Sequence, residues 1–117
     1  DLGAGNGILG IGAALMGAAH VVLIEVDEKA CSAAFEAIES VGVENTVEII
    51  CKNVDSSVDI AGAGLVISNP PWGVQKEKAD RPFLDLMLRS GAICHLMHSA
   101  EATHIESIFS KCTCLIE

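Results

Sequence analysis

The chain has 117 residues, half of them hydrophobic, with 7 Lys and Arg against 16 Asp and Glu and a formal net charge of −9. Its mean hydropathy of +0.46 means enough apolar side chain for one core, which excludes a disordered chain. Charges or glycines interrupt every apolar run before the roughly 18 residues that a membrane-spanning helix needs, and the acidic balance argues against a free-standing grip on phosphates.

The predicted elements alternate along the chain. Residues 8–18 are rich in Ala, Leu and Ile and read as a buried helix. Residues 20–25 form a short apolar, β-branched run, the pattern of a strand covered on both faces in a parallel sheet. Asp27 caps or opens a helix to about residue 40, with Ala30, Ala33, Ala34, Ala37 and Ile38 at helical spacing and Gly42 as its C-cap. Strands are predicted over 47–51 and 65–68, followed by the breaker Asn69-Pro70-Pro71-Trp72-Gly73. Pro82 opens a helix at its first position, with Phe83, Leu84, Met87 and Leu88 as the apolar stripe. A strand over 92–97, a helix over 100–111 and the start of a strand over 112–116 complete the series.

This alternation predicts an α/β fold: a Rossmann-like, doubly wound, mostly parallel sheet with right-handed crossovers. Residues 1–117 read as a single, incomplete domain, since Asp1 opens inside a glycine motif. Five cysteines without a Cys-x-x-Cys pair suggest neither a disulfide framework nor a metal site. Buried apolar thiols in a reducing compartment, cytoplasmic or nuclear, are expected. No signal peptide is expected either. His95, His98 and His104 show no ligand spacing with the cysteines, so no metal is assigned, and His98 alone stands out because it follows a strand.

In parallel sheets ligands bind beyond the carboxyl ends of the strands. Asp1-Leu2-Gly3-Ala4-Gly5-Asn6-Gly7 is a glycine turn at such a place. Two cofactors suit it. A dinucleotide would use Gly5-x-Gly7-x-x-Gly10, whereas S-adenosylmethionine would use Asp1 before Gly3-x-Gly5-x-Gly7, the carboxylate helping to hold a cationic ligand. A packed turn without ligand is the plain alternative. Glu25, 20 residues after Gly5, can accept the ribose hydroxyls of either cofactor. Asn53 can bond an adenine edge, or be an ordinary loop residue.

Asn69-Pro70-Pro71-Trp72 is the most specific signal. Two prolines stiffen the backbone and remove two donors, so the Asn69 side-chain oxygen and the Pro70 carbonyl become two fixed acceptors. They match an exocyclic amine, which has two hydrogens to give. Drawing both N–H bonds away from the ring plane frees the nitrogen lone pair for in-line attack on a methyl group. Trp72 would stack on the ring that carries the amine. Lys76, Lys78 and Arg81 could touch flanking phosphates, or simply be a solvated loop.

The chain resembles the class I S-adenosylmethionine-dependent amino methyltransferases, whose signature pairs Asp-x-Gly-x-Gly-x-Gly with Asn-Pro-Pro-aromatic. More narrowly it resembles the methyltransferase-like 5 branch of archaeal and eukaryotic rRNA adenine-N6 methyltransferases. Ile24-Glu25-Val26-Asp27 and the segment Lys76-Glu77-Lys78-Ala79-Asp80-Arg81-Pro82-Phe83-Leu84 carry that narrower likeness. It implies cofactor binding by Asp1, Gly3, Gly5, Glu25 and Asn53, and catalysis by Asn69, Pro70, Pro71 and Trp72. It further implies RNA as partner and, in the eukaryotic branch, a small zinc-containing activator protein. Asn53 stands where members usually carry Asp, and Trp72 where Phe is commoner. Other readings are the same fold acting on guanine N2 or a protein glutamine, a nicotinamide dehydrogenase, and a binding domain without turnover.

Overall fold

The computed structural model describes residues 1–71 and 78–115. Eight elements follow in order: α1 (Ile8–Leu15), β1 (Val21–Glu25), α2 (Glu28–Val41), β2 (Val47–Cys51), β3 (Leu65–Ser68), α3 (Arg81–Ser90), β4 (Ile93–Leu96) and α4 (His104–Ile108). Strands β1 and β2 pair in parallel, Val21 opposite Val47 through Glu25 opposite Cys51. Strands β3 and β4 pair in parallel, Leu65 opposite Ile93 through Ser68 opposite Leu96.

Leu2 joins the two pairs. It bridges both Ile24 and Ser68 in parallel sense, its N–H donating to the Ile67 carbonyl at 2.9 Å while Gly3 N–H donates to the Ile24 carbonyl at 2.8 Å. The sheet order is therefore β2-β1-Leu2-β3-β4. The chain steps outward from Leu2 first to one side and then to the other, so Leu2 marks the switch point where doubly wound sheets bind ligands.

Strand β1 shows why the run folds this way. Val21 and Leu23 pack into a cluster with Ala4, Ile11, Ala34, Ile38 and Val47, while Ile24 joins Leu2, Val54, Val58, Val66, Leu86 and Met87. Alternate side chains thus serve opposite faces, with α1 and α2 covering one and α3 the other. Gly10 is needed where α1 crosses β1, because a Cβ there would run into Leu23. Asp27 caps α2, accepting the Ala30 N–H at 2.9 Å, and Gly42 ends it in the left-handed region.

The structure corrects several sequence expectations. Helix α1 stops at Leu15 rather than residue 18, after which Gly17 turns the chain with a φ of 100°. Pro82 is the second helical residue of α3, still within the turn whose N–H groups lack helical partners. The 92–97 strand narrows to β4, and the 100–111 helix shrinks to the five residues of α4. Residues 112–115 are exposed and form no strand, since no ladder partner stands beside them among the described residues. The cysteines depart from the buried reading too. Only Cys31 is buried, Cys94 is half-buried, and Cys51, Cys112 and Cys114 are exposed.

Candidate functional site

The glycine turn begins at the switch point and is held from below by Glu25. Gly3 and Gly5 have φ of 69° and 55°, values that favour glycine. A Cβ on Gly3 would approach the Phe83 ring to 2.8 Å, whereas one on Gly5 would meet nothing within 4 Å, so the main chain there is open to close approach. Glu25 Oε2 accepts the Gly5 N–H at 2.8 Å. Its other oxygen accepts Val26 N–H at 2.7 Å and Asp27 N–H at 2.9 Å. A carboxylate has about four acceptor positions, so one remains for a ligand hydroxyl beyond these three backbone bonds.

Asp1 is arranged differently. Oδ2 accepts the Gly10 N–H at 3.0 Å, which ties the carboxylate to the first turn of α1. Oδ1 is buried and, among the described residues, the one side-chain oxygen or nitrogen of that kind without a hydrogen-bond partner. Buried carboxylate oxygens normally find donors, and a ligand ammonium would supply one.

A cavity of about 260 Å³ lies over the carboxyl ends of Leu2, β1 and β2. Gly3, Glu25, Val26, Asn53, Val54, Pro71 and Phe83 line it. Three of the expected cofactor residues thus share one wall system, and Pro71 brings the end of the Asn-Pro-Pro segment to the same space. Asp1 and Gly5 belong to the same glycine turn as Gly3 but are not among the residues that line the cavity. Asn69 is exposed and Pro70 fully buried just beyond β3. Trp72 and Lys76 lie outside the described residues.

Val26, Val54 and Phe83 are wall residues that sequence reasoning missed. Phe83 was visible only as part of a helical stripe, and its contact with Gly3 required the tertiary fold. Val26 is 60% exposed, an apolar side chain held out beside a ligand cavity.

Lys78 and Arg81 do not reach this cavity. They line a second cleft with Asp55, Ser56, Pro82, Asp85, Leu86 and Arg89. Arg81 Nε donates to Asp85 Oδ1 at 2.8 Å within α3, and Arg89 donates to the carbonyls of Ser56 and Val58.

Asp80 forms a further cluster at the carboxyl end of β4. Its Oδ2 meets His98 Nε2 at 2.9 Å and His104 Nε2 at 2.7 Å, with the two rings 5.4 Å apart and nearly perpendicular. His98 Nδ1 accepts the Ser99 N–H at 2.9 Å. The cluster is a clamp joining the turn before α3, the end of β4 and α4, and its three ligand atoms, all within 4.8 Å of one another, form a set that could also hold a metal ion. Burial pushes the Asp80 carboxyl up, but the donors from His104 and His98 together outweigh it and hold the group below the usual carboxylate range. Met97 N–H donates to the Ser68 carbonyl at 2.9 Å, which sets the clamp beside the residue preceding Asn69.

Residues 1–110 match the family model of the methyltransferase small domain. Protein MJ0284 of Methanocaldococcus jannaschii is 35% identical over 109 residues, covering 85% of this chain and 49% of that one. The ribosomal protein L11 methyltransferase of Desulforamulus reducens is 40% identical over 70 residues, covering 56% of this chain and 23% of that one. Among solved structures, PH1948 of Pyrococcus horikoshii, described as a "putative RNA methyltransferase", superposes with a TM-score of 0.73 at 32% identity, over 95% of this chain and 53% of its own. The chain thus spans about half the length of MJ0284 and about a quarter of the L11 enzyme.

Proposed function

The chain belongs to the methyltransferase small domain family, and from that premise we propose that it methylates the exocyclic N6 amine of adenine in RNA, small-subunit rRNA in particular. The family's methyl donor is S-adenosylmethionine, and the residues present fit it. Asp1 Oδ1 lacks a donor among the described residues, the Gly5 main chain is open, and Glu25 and Asn53 line one cavity. Val26 and Phe83 offer the apolar walls that a flat ring needs.

The single observation that carries the reading is Pro71 in the wall of the cavity that Gly3, Glu25 and Asn53 also line. In this reading the Asn-Pro-Pro segment receives the amine beside the residues assigned to the cofactor. When bound, S-adenosylmethionine supplies an electrophilic methyl group. The Asn69 side-chain oxygen and the Pro70 carbonyl accept the two amine hydrogens and orient the nitrogen lone pair. The surplus proton then leaves to water. Trp72 stacks on the base, while Lys76, Lys78 and Arg81 meet flanking phosphates, the last two from a cleft apart from the cofactor cavity. The methyltransferase-like 5 assignment, and with it a zinc-containing activator, belongs to this narrower reading.

RNA as acceptor is supported by the description of PH1948. A second reading, a protein acceptor, is favoured by the L11 methyltransferases among the relatives. Incubation with methyl-labelled S-adenosylmethionine and a mixture of rRNA and ribosomal proteins separates them. N6-methyladenosine after nuclease digestion is the expected product. Label in N2-methylguanosine or in protein would overturn the adenine assignment.

A further inference from the structure

Cys31 and Cys51 sit with their sulfurs 2.9 Å apart, closer than the ordinary contact of two unbonded sulfurs. Cys31 lies in the first turn of α2, and Cys51 ends β2, opposite Glu25 in the β1–β2 register. Neither thiol has a role in the methyl-transfer reading. The two differ in a way that matters chemically. Cys51 is exposed and Cys31 buried, and the Cys31 S–H donates its hydrogen bond to the Cys51 sulfur. The accessible sulfur is the one that a soluble disulfide can reach, and a thiolate is the form that attacks disulfides. The buried partner stands directly behind it.

We propose that Cys31 and Cys51 form a thiol–disulfide exchange site for small-molecule disulfides of the glutathione class, Cys51 being the attacking thiol and Cys31 the resolving one. The Cys51 thiolate attacks one sulfur of glutathione disulfide, forming a mixed disulfide and releasing one glutathione thiolate. The Cys31 sulfur then attacks Cys51 Sγ, closing the Cys31–Cys51 bond and releasing the second glutathione, its proton passing to solvent. Two protein thiols are oxidised and one disulfide is reduced to two thiols, so electrons balance.

Closure would replace the Cys31 S–H donor, which also lies 3.5 Å from the Glu25 carbonyl. It would fasten the start of α2 to the end of β2 beside Glu25. The other cysteines lack this arrangement. Cys94 lies near Ser90 and the Met87 carbonyl, and Cys114 near the Phe109 carbonyl.

The test treats the whole chain with glutathione disulfide, quenches with an alkylating reagent and maps peptides by mass spectrometry. A linked peptide pair containing Cys31 and Cys51, two hydrogens lighter than the reduced pair, is expected. The Cys31→Ser chain should instead hold one glutathione on Cys51. Cys31 and Cys51 that stay unlinked, and are both alkylated once the chain is denatured, under conditions that oxidise Cys112 or Cys114 would overturn the proposal. So would a mixed disulfide on Cys51 of the unaltered chain that never resolves. The unaltered-chain result stands even if the serine variant fails to fold.

Discussion

The Glu25 carboxylate accepts the Gly5 amide at 2.8 Å, so the residue that ends β1 also fixes the glycine turn 20 positions before it. One side chain therefore sets the shape of the cofactor loop and offers its remaining acceptor position to the ligand.

Glu25→Gln tests that double duty. The amide nitrogen of Gln cannot accept, so at least one of the backbone bonds is lost along with the charge. Charge-assisted hydrogen bonds contribute about 1.5–3 kcal/mol each. Affinity for S-adenosylhomocysteine, measured by calorimetry, should fall about 10- to 100-fold. Unchanged affinity would remove Glu25 from the site.

Gly10→Ala probes packing rather than chemistry. The added methyl would strike Leu23 across the α1–β1 contact, and overpacking of this kind costs about 1–3 kcal/mol. Denaturant unfolding should show a lower midpoint at unchanged slope. A neutral outcome would mean that α1 can move away from β1 freely.

Ser68→Ala removes the buried hydroxyl that donates to the Leu2 carbonyl at 2.8 Å. A buried group left without its partner costs about 1–3 kcal/mol. Because that bond joins β3 to the switch point, both thermal stability and cofactor affinity should drop together. A loss confined to stability would show that the switch point keeps its shape without Ser68.

Burial, reinforced by the hydrogen bond and neighbouring charge of Cys51, pushes the Cys31 thiol up to about 11. Thiols alkylate as thiolates, so at pH 8 Cys31 stays protonated and is spared while Cys112 and Cys114 react. Its modification should rise only as the pH approaches 11. Labelling of all these sites at equal rates at pH 8 would contradict the buried, protonated state.

Much of this was legible in the residues. The strands over 47–51 and 65–68 match β2 and β3 because short apolar, β-branched runs favour the extended backbone of a sheet. Asp27 and Gly42 act as caps because their chemistry is local. The region after β4 was misread because α4 keeps only five residues and buries none of them fully, Phe109 just beyond it packing only in part against the core. The cysteines were misread because composition does not say which side of an element faces water. The Phe83 contact with Gly3 and the Asp80–His98–His104 clamp join positions far apart in the chain, and only the topology brings them together.

Asn69→Ala tests the central claim most directly, with methyl transfer and S-adenosylhomocysteine affinity measured on the same preparation. Asn69 is assigned to the acceptor amine and not to the cofactor, so transfer should be abolished while affinity stays within about twofold, a difference under roughly 0.5 kcal/mol. Parallel loss of both, or transfer that persists, would contradict the account.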